Sequence, residues 1–174
     1  VAVDKQGNRL YAESSGKRYN ECYCPVCGEP VIHRMGTIRR AHFAHRQDTD
    51  CYFGHDKDNK SEWHIRMQDY FPKEAQEFIF VDEETGEKHI ADVFIKETNT
   101  VIEFQHSNLP FEEFNDRNNF YSNLGYQVIW VFDGNEIFDS GYSGGSIYFR
   151  TPLKCLKEQD VIPKNINIFV EGTM

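Results

Sequence analysis

The stretch HIADVFIKETNTVIEFQHS, residues 89–107, decides how the chain folds. It reads as two apolar strands joined by the polar turn Glu97–Asn99. Asp92, Glu103 and Gln105 nevertheless sit inside the apolar runs, where a charge is costly unless something compensates it. Alternate residues of a strand share a face. Glu103 and Gln105 are therefore expected to point one way and Ile102 and Phe104 the other, while Asp92 falls with Ile90 and Phe94. If the strands pair across the turn, Asp92 and Glu103 meet at one end of the hairpin. Two carboxylates a few Å apart repel, and one takes up a proton unless a cation lies between them. Mg²⁺ or Mn²⁺ suits such oxygen ligands. The alternative is that each carboxylate finds its own Arg or Lys, or lies at an exposed strand end.

Outward from this hairpin the pattern stays regular. SEWHIRMQDYF (61–71) places Trp63, Met67, Tyr70 and Phe71 on one helical face, with Ser61 as N-cap and Pro72 closing the run. EFIFVD (77–82) reads as a strand. Pro110 opens a helix that runs to about Leu124, with Gly125 as its stop. YQVIWVFDG (126–134) is apolar throughout, as a central strand buried on both faces should be. The order α-β-β-β-α-β predicts an α/β (α+β) fold with a mixed sheet. GYSGGSIYFRTPLKCL (141–156) and INIFVEG (166–172) suggest two further short strands that extend or cap the sheet, without a site.

Residues 1–58 read as a separate module, and 59–174 as the main domain. VAVD and LYAES flank the turn KQGN, a β-hairpin. Cys24-Pro-Val-Cys27-Gly is a knuckle whose two thiolates can grip one Zn²⁺, and a tetrahedral site needs two more ligands. Cys51 and one of His42 and His45 complete a Cys₃His set. His45 is preferred, because His42 lies closer to the strand TIRRAHF, and His42 stays the alternative ligand. Such a closed site is structural zinc. Cys22 has the wrong spacing for the knuckle and reads as a structural thiol. Five cysteines, four of them before residue 52, argue against a disulfide framework.

The 174 residues carry a formal charge of −9. Residues 1–60 hold ten Lys and Arg against eight Asp and Glu, a net of +2, and residues 61–174 hold nine against twenty, a net of −11. The acidic part does not resemble a general nucleic-acid surface, but it fits a site that gathers divalent cations. Arg34, Arg39, Arg40 and Arg46 crowd together as either a solvated basic face or a patch for a polyanion. No apolar run approaches the ~20 residues that cross a bilayer, and no signal-peptide pattern opens the chain. A cytoplasmic protein without membrane contact is expected. The first residue, Val1, fits an excised fragment.

Asp92, ten residues, then Glu103-x-Gln105, in this order of elements, resembles the PD-(D/E)xK nuclease core, the restriction-endonuclease-like αβββαβ arrangement. The chain more closely resembles the competence protein CoiA-like nuclease family. The matching pieces are CPVCGEPV (24–31), AHFAH (41–45), KSEWHIRMQDYF (60–71), HIADV (89–93), VIEFQHS (101–107), RNNFY (117–121) and VIWVFDG (128–134). The resemblance implies a metal-dependent nuclease acting on DNA behind a zinc-knuckle module, in DNA uptake, processing or defence. It makes Asp92 and Glu103 ligands of Mg²⁺ or Mn²⁺ and puts Gln105 at the motif's lysine position. Glutamine can orient a water but supplies no charge. His64, in the family's tryptophan-histidine pair, and Arg117 are the candidates to replace it. Arg117 stacks with Tyr121 one turn on, a spacing similar to the Gln-x-x-x-Tyr element of related nucleases; its alternative partner is Glu113. Gln68 stands where the family leads one to expect lysine. His89 and His106 alternate away from the carboxylates and read as structural. The competing reading is a nuclease-fold module without turnover that binds nucleic acid or a protein partner.

Overall fold

The computed structural model describes residues 1–13, 16, 18–36, 40–46, 49, 51, 60–107, 109–137, 139–143, 146–150 and 166–171, with backbone alone beyond residue 135. Arg39, Cys155 and the 58/59 boundary expected from sequence lie outside the described residues. Two compact units divide the chain, Val1–Lys60 and Ser61–Met174.

The second unit is built on a five-stranded mixed sheet. Its first helix, α1 (Glu62–Gln68), starts where the Ser61 hydroxyl accepts the His64 N–H at 3.1 Å. Expectation ran it on to Phe71. It stops three residues earlier, with Asp69 as C-cap, because Pro72 disfavours helical backbone just before it. Tyr70 consequently leaves the helical face and is 74% exposed, while Phe71 still packs on the core. Strands β5 (Gln76–Val81), β6 (Lys88–Ile95) and β7 (Thr100–Gln105) follow. The turn between β6 and β7 is closed by Asn99 in the left-handed region at φ 50°, a conformation that asparagine tolerates. Helix α2 (Phe111–Asn123) ends at Gly125, whose φ of 85° few other residues adopt. Strand β8 (Gln127–Asp133) completes the predicted order, and the fold is α+β.

Strands β5, β6 and β7 are antiparallel neighbours, and β8 joins β7 in parallel. The even residues of β8, Val128, Trp130 and Phe132, are fully buried against α2 together with Val101, Phe114 and Tyr121. Its odd residues Ile129 and Val131 pack on the other face with Trp63 of α1, Val93, Ile102 and Phe104. The two helices therefore cover opposite faces, and β8 needs no polar side.

After the short α3 (Gly134–Ile137), three further strands follow among the described residues, where two were expected. Strands β9 (Asp139–Ser143) and β10 (Ser146–Arg150) pair with each other as a separate hairpin, and β11 (Ile166–Glu171) adds to the sheet, parallel to β8. The sheet order is β11-β8-β7-β6-β5.

The first unit opens with the hairpin of β1 (Ala2–Val3) and β2 (Arg9–Leu10), whose turn holds Gly7 at φ 81° and uses the Asp4 carboxylate to accept the Gln6 and Asn8 N–H groups. Strands β3 (Ile32–Arg34) and β4 (His42–Ala44) form a second hairpin. Ala2, Cys22 and Phe43 make its small core.

Candidate active site and metal centre

The ladder between β6 and β7 runs Ile95↔Thr100, Phe94↔Val101, Val93↔Ile102, so the next rung would set Asp92 against Glu103. At that rung the side chain replaces the backbone: Asp92 Oδ2 accepts the Phe104 N–H at 2.9 Å. The other carboxylate oxygen, Oδ1, lies 2.9 Å from His64 Nε2 on α1. The Asp92 carbonyl accepts Gln68 Nε2 at 2.9 Å, and the Gln68 carbonyl in turn accepts Gln76 Nε2 at 2.8 Å. On β5, the residue between the paired Gln76↔Val93 and Phe78↔Ala91 is Glu77, at φ 49°. Both neighbours of Asp92 are thus distorted around it. Strict alternation fails here: Ala91 and Phe94 pack toward α2, whereas Val93 and Ile95 pack toward α1. Asp92 therefore does not share the side of Phe94, as alternation predicts, but reaches the His64 of α1.

Glu103 is 1% exposed. Its Oε2 forms an ion pair with Arg117 of α2. Arg117 chooses this buried carboxylate over Glu113, although Glu113 still adds to the field that favours its charge. Burial pushes the Glu103 carboxyl above the usual carboxylate range; Arg117 pulls it back, and the nearby charge of Asp92 pushes it up again. Among the described residues, Glu103 Oε1 and the Tyr121 hydroxyl are buried without a hydrogen-bond partner of ordinary geometry, yet the two groups lie close enough to influence one another. Tyr121 is itself fully buried, and burial raises its phenol well above the ordinary value. The Arg117 guanidinium lies 5.5 Å from the centre of the Trp130 ring, a cation–π contact.

The structure so brings together Asp92, Glu103, His64, Arg117 and Tyr121. It does not bring the Gln105 amide to them. Gln105 Nε2 donates to the Ser107 carbonyl at 2.7 Å, closing the end of its own strand. His89 is buried, with Nε2 2.7 Å from Glu87 Oε1 and its ring 4.2 Å from that of Phe120; burial lowers its pKa more than Glu87 raises it. His106 faces away from Glu103 and pairs with Asp133. Reading by residue type missed the contact of Gln68 with Asp92. The signal was its position four residues after His64, which puts both on one face of α1. Two carboxylates acting on one buried, half-satisfied site are the donor chemistry a hard divalent cation takes.

In the first unit, Cys24, Cys27, His45 and Cys51 place their ligand atoms within 4.8 Å of one another. Cys27 Sγ lies 3.3 Å from His45 Nε2. His42 instead directs Nδ1 to the Arg40 carbonyl at 3.0 Å. The knuckle is shaped by the Gly28 N–H on the Cys24 carbonyl, at 2.9 Å, and by Gly28 at φ 78°. Cys22 stays in the small core, its Sγ 3.2 Å from the Val31 carbonyl. Without a metal, burial pushes the Cys24 thiol up to about 12. Three sulfurs and one imidazole at this spacing fit a closed tetrahedral metal site, zinc above all. Of the arginines nearby, Arg40 pairs with Glu13, while Arg34 and Arg46 are exposed.

A mixed sheet between two helices, with two acids approaching each other where β6 parts from β7, thus follows a Cys/His cluster that could hold a metal. Residues 8–54 match the family model described as competence protein CoiA, N-terminal domain, and residues 85–148 match that described as competence protein CoiA, nuclease-like domain. The chain belongs to the competence protein CoiA-like family. No curated protein and no solved structure matches it. Among the described residues no helix is long and apolar enough to cross a membrane.

Proposed function

We propose that the protein is a divalent-metal-dependent nuclease that hydrolyses phosphodiester bonds of DNA in the cytoplasm, and that its Cys₃His cluster holds structural zinc. The observation that carries this reading is the approach of Asp92 and Glu103 at the broken rung, with Glu103 Oε1 buried and, among the described residues, without a hydrogen bond of ordinary geometry. Asp92 and Glu103 would hold Mg²⁺ or Mn²⁺, which polarises a phosphoryl oxygen and lowers the pKa of bound water. His64 and the Phe104 N–H each take one Asp92 oxygen and so fix the plane of that carboxylate. Gln68 fixes its backbone. Arg117 supplies the positive charge that Gln105 lacks, for the charge that develops on phosphate. Gln105 orients water only after releasing Ser107.

The second reading is a nuclease fold without turnover that binds nucleic acid or a protein partner. It is favoured by the ion pair of Arg117 with Glu103 and by the bond of Gln105 to Ser107, which occupy groups a nuclease needs. Labelled single- and double-stranded DNA, incubated with the protein and either Mn²⁺ or EDTA, separates the two. The nuclease reading expects Mn²⁺-dependent cleavage that Asp92→Asn abolishes. Binding without cleavage, unchanged in Asp92→Asn, would establish the second.

A further inference from the structure

His106 follows the last residue of β7, and Asp133 ends β8. The parallel register puts Gln105 beside Phe132, so His106 and Asp133 are the next pair, at the carboxyl ends of two adjacent parallel strands. The Asp133 side chain is 4% exposed, and both its oxygens are engaged: Oδ1 accepts the Asn135 N–H at 3.0 Å, and Oδ2 lies 2.9 Å from His106 Nδ1. The imidazole also stacks on the buried Trp63, with ring centres 6.2 Å apart and planes 28° apart. Its side chain is nevertheless 37% exposed, and Nε2 has no partner among the described residues. A buried acid and an indole thus hold one face and one nitrogen of the ring, and the remaining nitrogen meets solvent. Trp63 precedes His64, and both rings lie against Phe104, so this imidazole belongs to the same surface as the Asp92 site.

Distance decides what the ring can do there. Three residues of strand separate His106 from Glu103, about 10 Å at ~3.3 Å per residue. Direct proton transfer at the acid pair needs a hydrogen bond or one bridging water, so that role is out of reach. The same span brings the ring to a phosphate neighbouring the one held at the acid pair. An imidazolium donates from both nitrogens, one to Asp133 and the other to an acceptor outside.

Resting on the nuclease reading above for the nature of the strand, we propose that His106, held by Asp133 and Trp63, is a phosphate-contacting residue that grips the nucleic-acid backbone at a phosphate neighbouring the acid pair.

The test is His106→Asn. The asparagine Nδ2 takes the place of imidazole Nδ1 and can keep the bond to Asp133, while the Nε2 position disappears. Binding to fluorescent single- and double-stranded DNA is measured in EDTA, where no cleavage occurs, as a function of salt. The expected result is about tenfold weaker binding for the loss of one charge-assisted contact, with the salt slope reduced by about 0.7–0.9. Thermal stability should stay that of the wild type. Asp133→Asn, which loosens the ring, should weaken binding in the same direction. If His106→Asn binds with wild-type affinity and slope, or if the wild type binds neither DNA, the proposal is overturned, and His106 only ties the two strand ends together. The nuclease reading fails separately: weakened binding in His106→Asn with no Mn²⁺-dependent cleavage by the wild type leaves the grip and removes the chemistry.

Discussion

Glu103 and Arg117 form an ion pair between the centre of the sheet and the helix above it, with the carboxylate sealed from solvent. Such a pair is not a free gain in stability, because two charges lose their hydration. It makes each partner depend on the other. Arg117→Ala should destabilise the second unit by about 3–5 kcal/mol in urea denaturation, the cost of leaving a buried carboxylate alone. Glu103→Gln in the same background should recover much of that loss. Mg²⁺ should stabilise Arg117→Ala more than the wild type, since the freed carboxylate needs a cation. A loss below ~1 kcal/mol for Arg117→Ala would mean that the carboxylate is already neutral.

Cysteine substitution tests the first unit. Cys27→Ser or Cys51→Ser should strip zinc from the protein and unfold residues of the first unit, leaving the second intact by near-ultraviolet circular dichroism. Zinc affinity should fall as pH drops from neutral, because the ligands bind as thiolates and the buried Cys24 thiol holds its proton tightly when no metal is present. Metal analysis that finds no zinc in protein prepared without chelators would refute the assignment.

His89 predicts a pH dependence of stability. Burial lowers its pKa in the folded state below the ordinary 6.5, so the folded protein prefers the neutral ring. The unfolded chain therefore binds the extra proton first as pH falls. The contribution is fully present above about 6.5. It is lost progressively as pH drops below that value toward the folded pKa. His89→Phe should flatten the slope of unfolding free energy over this window. An unchanged slope would show that other groups carry it.

Gln105 separates positioning from chemistry. Gln105→Ala should slow cleavage by a factor that matches one neutral hydrogen bond, on the order of 1–3 kcal/mol, and not abolish it. Asp92→Ala and Glu103→Ala should lose nearly all activity. Gln105→Lys restores the usual motif: if His64 or Arg117 serves as the cation, the new ammonium should compete with the metal and raise the Mg²⁺ requirement. A faster Gln105→Lys would instead indicate that Arg117 stays locked to Glu103 during turnover.

Strands β5 to β8, the starts of α1 and α2 and the Cys₃His spacing were legible in the sequence because each is local: a period of two, an N-cap serine, a Cys-x-x-Cys turn. The approach of Asp92 to Glu103 followed from one short hairpin. What escaped was set by contacts between distant segments. The shift at Asp92 depends on the Phe104 N–H and on Gln68, neither of which marks itself in the pattern of apolar residues. The choice of Arg117 between Glu113, one helical turn away, and Glu103, on another element, turns on burial. The bond between His106 and Asp133 follows only from the parallel register of β7 and β8.

That register has a consequence for synthesis. Strand β8 is complete at Asp133, but its second neighbour, β11, begins only at Ile166. At about 5–20 residues per second, a ribosome needs some 2–7 s to cover that interval. For a delay of that length after β8 has emerged, this apolar strand presents an open row of N–H and C=O groups, the template on which nascent chains pair with one another. A fragment cut after residue 150 would keep that edge for good, so nascent-chain aggregation should follow the position of truncation: high for fragments lacking β11 and low once it is present.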